Sequence, residues 1–109
     1  MKDYTLVAKV EDLEDGEMKK YNVNNHEVLL VCVGENFYAV GAICSHAYAE
    51  LEEGDLEDFY LTCPVHLAGF DVRNGAPLDP PATDPIPIFD VKKEGNEIWI
   101  SNQPVGGEK

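Results

Sequence analysis

Two short segments that each carry a cysteine and a histidine constrain this chain more than any other feature. The first is Cys44-Ser45-His46, and the second is Cys63-Pro64-Val65-His66. Sixteen residues separate His46 from Cys63. Thiolate and imidazole bind zinc and iron, and two such segments supply enough donors to close a metal site. The fold must therefore hold two loops so that they face each other.

The rest of the sequence predicts short strands rather than helices. Alternating or continuous apolar residues between turn residues predict strands over residues 4–10, 18–23, 27–33, 37–40, 59–62, 88–91 and 97–101. The dipeptide Asn24-Asn25 predicts a turn, and Asn74-Gly75 predicts a tight hairpin between residues 70–72 and 76–78. No stretch of ten residues has a helical pattern. The chain is therefore expected to be all-β, an antiparallel sandwich or small barrel.

Three stretches are expected to be irregular. Residues 50–58 are acidic and predict an exposed loop with a short helical turn, and residues 77–87 contain five of the seven prolines and predict a stiff loop. Residues 102–109 are expected to be a frayed tail. Both Cys-His segments leave strands and enter turns, so strands are positioned to hold them.

Composition excludes several classes of function. The length of 109 residues suits one domain, and a net charge of −13 argues against nucleic acid and anionic membranes as partners. No apolar run is long enough to span a bilayer, and the first five residues contain no apolar signal segment. We expect a soluble, cytoplasmic protein.

The remaining cysteine and histidine are expected to play no part in a metal site. Three cysteines is an odd number, which argues against a disulfide framework. Cys32 lies in an apolar, strand-like run and is predicted to be a buried structural thiol. His26 follows two asparagines and is predicted to be a solvated surface residue.

The residues alone leave several interpretations of the Cys-His set open. The four side chains could be unrelated, although two Cys-His spacings in a chain with three Cys and three His make that a poor explanation. Two Cys and two His also suit a structural zinc module, but zinc fingers usually pair Cys with Cys and His with His around a helix. A catalytic Cys-His pair would leave the second segment unexplained. The fourth interpretation is a [2Fe–2S] centre with two Cys on one iron and two His on the other.

The fourth interpretation is supported by a resemblance. The pattern Cys44-x-His46 followed by Cys63-x-x-His66 resembles the Rieske signature, and the likeness extends to Gly69-Phe70, Asn74-Gly75 and Pro80-Pro81. It covers roughly residues 37 to 100. The chain is most similar in plan to the Rieske-type [2Fe–2S] ferredoxin components of bacterial multicomponent aromatic-ring-hydroxylating dioxygenases. A Rieske-like antiparallel β-sandwich or barrel base would then occupy roughly residues 1–40 and 82–109. An inserted cluster-binding subdomain would span roughly residues 41–81.

The resemblance also implies a site and partners. Cys44 and Cys63 would bind the inner iron, and His46 and His66 would bind the outer iron. The protein would be an electron carrier rather than an enzyme, taking one electron at a time from a ferredoxin reductase and passing it to a terminal oxygenase. It would be a monomer. The expected docking face consists of His46, Tyr48, His66, Leu67, Pro80 and Pro81. The acidic residues within 50–58 could steer a basic partner.

Two further expectations rest on the same likeness. High-potential Rieske proteins carry a disulfide between the ligand loops and a serine near a bridging sulfide, where this chain has Ala49, Val65 and Ala68. Fewer hydrogen bonds to sulfur predict a low reduction potential. A Rieske small subunit of another oxidoreductase, such as a nitrite reductase, would share the fold and cluster and remains an alternative. The zinc module remains a second one.

Overall fold

The computed structural model of the chain describes residues 3–43, 50–64, 69–78 and 85–106. None of these residues is in an α-helix, and two short 3-10 turns span Val10–Asp12 and Leu51–Glu53. The strands of the described residues are, in chain order, β1 (Tyr4–Lys9), β2 (Met18–Val23), β3 (His26–Val33), β4 (Asn36–Gly41), β5 (Asp55–Glu57), β6 (Tyr60–Thr62), β7 (Gly69–Asp71), β8 (Ile88–Phe89), β9 (Val91–Glu94) and β10 (Glu97–Ser101).

The strands form three antiparallel sheets. A terminal sheet has the order β1-β10-β9, a central sheet has the order β2-β3-β4-β8, and a small sheet has the order β5-β6-β7. The expectation of a mostly antiparallel, all-β protein is therefore confirmed. In the parts of the chain that the structure describes, no helix has the length and apolar character needed to cross a membrane.

The hairpin of β2 and β3 shows how local sequence produces this fold. Asn24 and Asn25 join the strands with φ angles of 50° and 69°. Asparagine tolerates this left-handed conformation better than most residues, and two such residues match the twist of a two-residue hairpin. The predicted turn is confirmed.

The central sheet separates two apolar cores. Strand β3 is buried from Val28 to Cys32, and its side chains alternate between the two cores, as expected for a strand covered on both faces. Core 1, on the side of the small sheet, contains Leu29, Val31, Val40, Ala42, Leu51, Leu61, Cys63, Phe70, Val72 and Ile86. Core 2, on the side of the terminal sheet, contains Ala8, Leu13, Val23, Val28, Leu30, Cys32, Ala39, Phe89, Ile98 and Ile100.

The acidic stretch is more regular than a loop. The 3-10 turn Leu51–Glu53 confirms the short helical turn predicted there. Strand β5 pairs with β6, so the prediction of a loop is wrong over residues 55–57. Leu51 is fully buried in core 1, and Leu56 packs against that core. Two apolar side chains that reach the core fix this segment despite its acidic composition.

The C-terminal region also differs from its predicted form. The single strand expected over residues 88–91 is divided at Asp90, because β8 pairs with β4 in the central sheet and β9 pairs with β10 in the terminal sheet. Residues 102–106 are attached rather than frayed. The Ile88 amide donates to the Gly106 carbonyl oxygen at 2.8 Å, and the Val105 amide donates to the Ile88 carbonyl oxygen at 2.8 Å. Backbone pairing thus completes the edge of β8.

Candidate metal centre

We call the part of the chain between Ile43 and Glu50, which contains Cys44 and His46, the first ligand segment. Its two ends are fixed to the central sheet. Ile43 and Glu50 form an antiparallel bridge, and the Leu51 amide donates to the Ala42 carbonyl oxygen at 2.9 Å. The Ala42 amide in turn donates to the Glu27 carbonyl oxygen on β3 at 3.0 Å. Cys44 and His46 lie between these ends and outside the described residues, as does Tyr48.

The second ligand segment is closed by the small sheet. Strands β6 and β7 pair from Tyr60↔Asp71 to Thr62↔Gly69, so the chain between Thr62 and Gly69 begins and ends at one place. Cys63 follows β6 directly and is fully buried in core 1. His66 and Leu67 lie outside the described residues. The structure therefore places one predicted ligand, Cys63.

The proline-rich segment closes at the same sheet. The Leu78 amide donates to the Gly69 carbonyl oxygen at 2.7 Å, and the Ile86 amide donates to the Gly75 carbonyl oxygen at 3.0 Å. Pro80 and Pro81 lie between Leu78 and Ile86, outside the described residues. Gly69 therefore lies at the end of the second ligand segment, and its carbonyl oxygen also accepts the hydrogen bond at the start of the proline-rich segment.

A glycine contact joins the first ligand segment to the second. A β-carbon added to Gly54, which follows the turn after Glu50, would lie 1.9 Å from the Thr62 carbonyl oxygen. Only glycine allows the two backbones to come this close. The ends of three segments, namely the two that contain the Cys-His motifs and the one that contains Pro80-Pro81, are thus gathered around β6 and β7.

The surroundings of Cys63 fit a metal thiolate. Core 1 is apolar, and a charged thiolate in such a place is stabilised when a metal cation bonds to it. Among the residues that the structure describes, no group of three or more His, Cys, Asp and Glu side chains is placed to hold a metal ion. That result concerns only Cys63 of the four predicted ligands.

An ion pair stabilises the turn that follows β7. The Arg73 amide and Nε donate to Asp71 Oδ1 at 2.9 and 3.0 Å, and Nη2 donates to Oδ2 at 2.8 Å. These hydrogen bonds from Arg73 hold the pKa of the Asp71 carboxyl below its usual range, although burial opposes the shift. The turn contains four residues, 72–75, because the Asp71 amide pairs with Ala76 and the Gly75 amide donates to the Asp71 carbonyl oxygen at 2.7 Å. The hairpin prediction was right in position, but the turn is longer than the tight form expected from Asn74-Gly75.

Arg73 also connects the small sheet with the central sheet. Its guanidinium carbon lies 4.2 Å from the centre of the Phe59 ring. The Phe59 ring meets the Tyr38 ring of β4 edge to face, with the centroids 5.7 Å apart. Sequence reasoning missed these contacts, although the isolation of Arg73 among seventy other residues without Lys or Arg was a visible signal.

A lysine partly neutralises the acidic stretch. Lys20 Nζ on β2 lies 2.6 Å from Glu50 Oε1, 3.6 Å from Glu27 Oε1 and 3.7 Å from Glu52 Oε1. The hydrogen bond to Glu50 is the main reason that the pKa of Lys20 is raised. The sequence did not indicate this contact, because Lys20 and Glu50 lie thirty positions apart along the chain.

The other cysteine and histidine lie elsewhere. Cys32 is 3% exposed in core 2, so its predicted burial is confirmed, and burial raises its pKa. His26 is the first residue of β3 and is half-buried, and its ring meets the Phe89 ring edge to face at 5.5 Å. The prediction of a solvated histidine is therefore wrong, because ring packing replaces part of its hydration.

Comparison with known protein families identifies the kind of centre. The family model described as the Rieske [2Fe-2S] domain matches residues 3–90. The chain belongs to the Rieske [2Fe-2S] domain family. This Rieske protein therefore carries one [2Fe–2S] cluster, as predicted, and the interpretation as a zinc module is not supported.

Its relatives are ferredoxins of oxygenase systems. The Rieske protein is 39% identical over 107 residues to the ferredoxin component of the alkene monooxygenase system of Xanthobacter autotrophicus, with 97% of this chain and 87% of that protein covered. It resembles the ferredoxin of carbazole 1,9a-dioxygenase from Nocardioides aromaticivorans IC177 with a TM-score of 0.90 and 34% identity, over 92% of this chain and 98% of that one. A ferredoxin structure solved in a complex of reduced oxygenase and oxidized ferredoxin of carbazole 1,9a-dioxygenase has a TM-score of 0.89 and 29% identity, over 94% and 95% of the chains. The prediction of a ferredoxin-type electron carrier rather than an enzyme is confirmed.

Proposed function

We propose that this Rieske protein carries single electrons from a ferredoxin reductase to a terminal oxygenase. In this proposal Cys44 and Cys63 hold the inner iron, and His46 and His66 hold the outer iron. The observation that carries it is the position of Cys63, which is fully buried in core 1 at the point where three segment ends meet. The cluster supplies a site that gains and loses one electron, and its two imidazole ligands raise the potential above that of all-Cys clusters.

The named relatives favour an oxygenase as the electron acceptor. One belongs to an alkene monooxygenase system, and the other two belong to carbazole 1,9a-dioxygenase. A nitrite reductase subunit, the alternative within the same fold, is not favoured by this set. The relatives' systems act on an alkene and on an aromatic compound. We therefore propose that the terminal oxygenase, and not this protein, determines the substrate.

Ligand variants with matched controls test the proposed ligand set. Cys63→Ala and His66→Ala should abolish the rhombic EPR signal of the reduced protein and lower its iron and sulfide content. Cys32→Ala and His26→Gln remove the same residue types from core 2 and from β3, and they should leave both measurements unchanged. Full cluster content in Cys63→Ala, or its loss in Cys32→Ala, would contradict the assignment.

We further propose that the docking face comprises His46, Tyr48, His66, Leu67, Pro80 and Pro81, and that acidic residues within 50–58 steer the partner. Glu57 and Asp58 lie at the turn between β5 and β6, and both are exposed. Glu50 and Glu52 are occupied by Lys20 and so contribute less to an attractive field. Steering by the remaining acidic residues would raise the association rate most at low ionic strength.

Charge variants measure the steering. The double variant Glu57→Gln, Asp58→Asn should slow reduction of the oxygenase at low salt and flatten the dependence of the rate on ionic strength. Asparagine suits position 58, because Asp58 has a φ of 52°. Glu35→Gln is the control, because Glu35 lies in the β3–β4 turn at the opposite end of the strand that leads to the first ligand segment. If Glu35→Gln changed the rate and its dependence on ionic strength as much as the double variant does, the acidic residues Glu57 and Asp58 would have no steering role.

The domain plan and the location belong to the same proposal. Residues 41–81 would form a cluster-binding subdomain, and this range contains the whole small sheet. The base would comprise residues 1–40 and 82–109. We propose a cytoplasmic monomer, which cell fractionation and light scattering of the cluster-loaded protein test directly.

A further inference from the structure

The exit of the first ligand segment is held by one lysine. Glu50 is the first described residue after segment 44–49, and its Oε1 accepts a hydrogen bond from Lys20 Nζ at 2.6 Å. Lys20 lies on β2, which pairs with β3 and belongs to the central sheet. The contact therefore joins the segment that contains Cys44 and His46 to the body of the protein.

Glu50 depends on this lysine for its charge balance. Its second oxygen, Oε2, is buried and has no hydrogen-bond partner among the described residues. A carboxylate with one oxygen shielded from water needs a compensating charge. Lys20 is the only cation paired with Glu50 in the described part of the chain.

Lys20 also contacts the entry side of the segment. Its Nζ lies 3.6 Å from Glu27 Oε1, and the Glu27 backbone oxygen accepts from the Ala42 amide just before the segment begins. Glu52 completes the group at 3.7 Å. One ammonium thus stands among three carboxylates, and its removal would leave like charges facing one another beside both ends of the ligand segment.

We propose that Lys20 is a positioning residue for the cluster: it fixes both ends of the first ligand segment through Glu27 and Glu50 and supplies a local positive charge. This inference rests on the proposed ligand set. Arg73, the single cation in residues 21–91, is paired with Asp71. Loss of the Lys20 charge would leave three carboxylates beside the ends of the segment that contains two of the proposed ligands, and added negative charge there disfavours reduction of the cluster.

A lysine on the same strand provides the control. Lys19 precedes Lys20, is exposed and takes part in no ion pair of the described residues. Lys20→Met and Lys19→Met both change the net charge from −13 to −14. Any difference between the two variants in the measured properties of the cluster is consequently due to the local contacts of Lys20 and not to the net charge. Lys20→Arg keeps the charge and should restore most of the wild-type behaviour.

Three measurements on the cluster-loaded protein test the role. In Lys20→Met we expect the visible absorbance to bleach about two- to fivefold faster with an iron chelator, the range that partly exposed ion pairs produce. The reduction potential should move to a more negative value, and the Leu51 amide should exchange its hydrogen faster. Lys19→Met should match the wild type in all three.

The outcomes separate this proposal from the proposed function. Equal bleaching rates and potentials in Lys20→Met and Lys19→Met would overturn the positioning role while the wild-type EPR signal remained. A wild-type protein without a [2Fe–2S] signal would overturn the proposed function itself. Glu50→Gln breaks the pair from the other side, so it decides the matter if Lys20→Met does not fold. Glu50→Gln must then bleach faster than Glu35→Gln for the role to stand.

Discussion

Replacing Gly75 with alanine puts a methyl group where the chain has no room for it. Gly75 has a φ of +75°, and an added β-carbon would lie 2.2 Å from the Ile86 carbonyl oxygen and 3.1 Å from Ile88 Cγ2. The Gly75 carbonyl oxygen also accepts the Ile86 amide at 3.0 Å. The substitution therefore acts where the proline-rich segment returns to the small sheet.

The cost has two separable parts. The left-handed backbone costs a non-glycine residue about 1–2 kcal/mol. The collision adds about 1–3 kcal/mol, because the Ile86 backbone must move and its hydrogen bond is weakened. Gly95→Ala is the matched control. Gly95 has a φ of +61° and no atom within 4 Å of the added β-carbon, so it bears only the backbone cost.

Thermal unfolding of the cluster-loaded variants at one heating rate measures the difference. A domain of this size loses about 4–8 °C per kcal/mol, so Gly75→Ala should melt at least about 4 °C below Gly95→Ala. Cluster loss should accompany the lower transition, because Leu78 and Ile86 bound the segment that contains Pro80-Pro81. Equal melting temperatures would refute the reasoning, since they would mean that the contact with Ile86 carries no free energy.

The remaining predictions concern one ion pair, one thiol and the redox potential. Arg73 lowers the pKa of Asp71, so the pair stabilises the fold above the ordinary carboxyl range and loses that contribution as the pH falls. In Arg73→Met the free energy of unfolding should therefore fall less steeply as the pH drops below about 5. A fall as steep as that of the wild type would contradict this. Cys32→Ala should keep its iron but lose roughly 0.5–1.5 kcal/mol of unfolding free energy, measured by denaturant titration, and loss of iron would count against a purely structural thiol. A redox titration should place the potential toward the lower end of the roughly −150 to +300 mV Rieske range, and a value well above zero would exclude the low-potential interpretation.

The central sheet illustrates what local sequence can predict. The bounds of β2 agree with the prediction, and β3 begins one residue earlier than predicted. The turn at Asn24-Asn25 was also predicted, because left-handed asparagines and a run of apolar residues are local properties. The ligand types and spacings are local as well, and they were sufficient to indicate the family. Three of the four predicted ligands lie in segments 44–49 and 65–68, outside the described residues, and their role in binding iron is a proposal.

The errors arose where distant residues compete for partners. Nothing near Asp90 in the sequence shows that β8 and β9 join different sheets, because that division depends on pairing with β4 and β10. The tail was expected to fray, yet Gly106 pairs with Ile88. The acidic stretch was expected to be a loop, yet Leu51 is drawn into core 1. Burial and backbone pairing decided each of these cases.

By itself, the sequence determined the acidic charge and most of the strand-forming segments of this Rieske protein, and it predicted the donor set. Those properties depend on the type and spacing of residues that lie close together along the chain. Only the tertiary structure decided that Cys63 is buried in core 1, that Lys20 meets Glu50, and that Arg73 connects Asp71 with Phe59. The physical reason is that packing of the three sheets sets which distant side chains meet, and no local pattern encodes those distances.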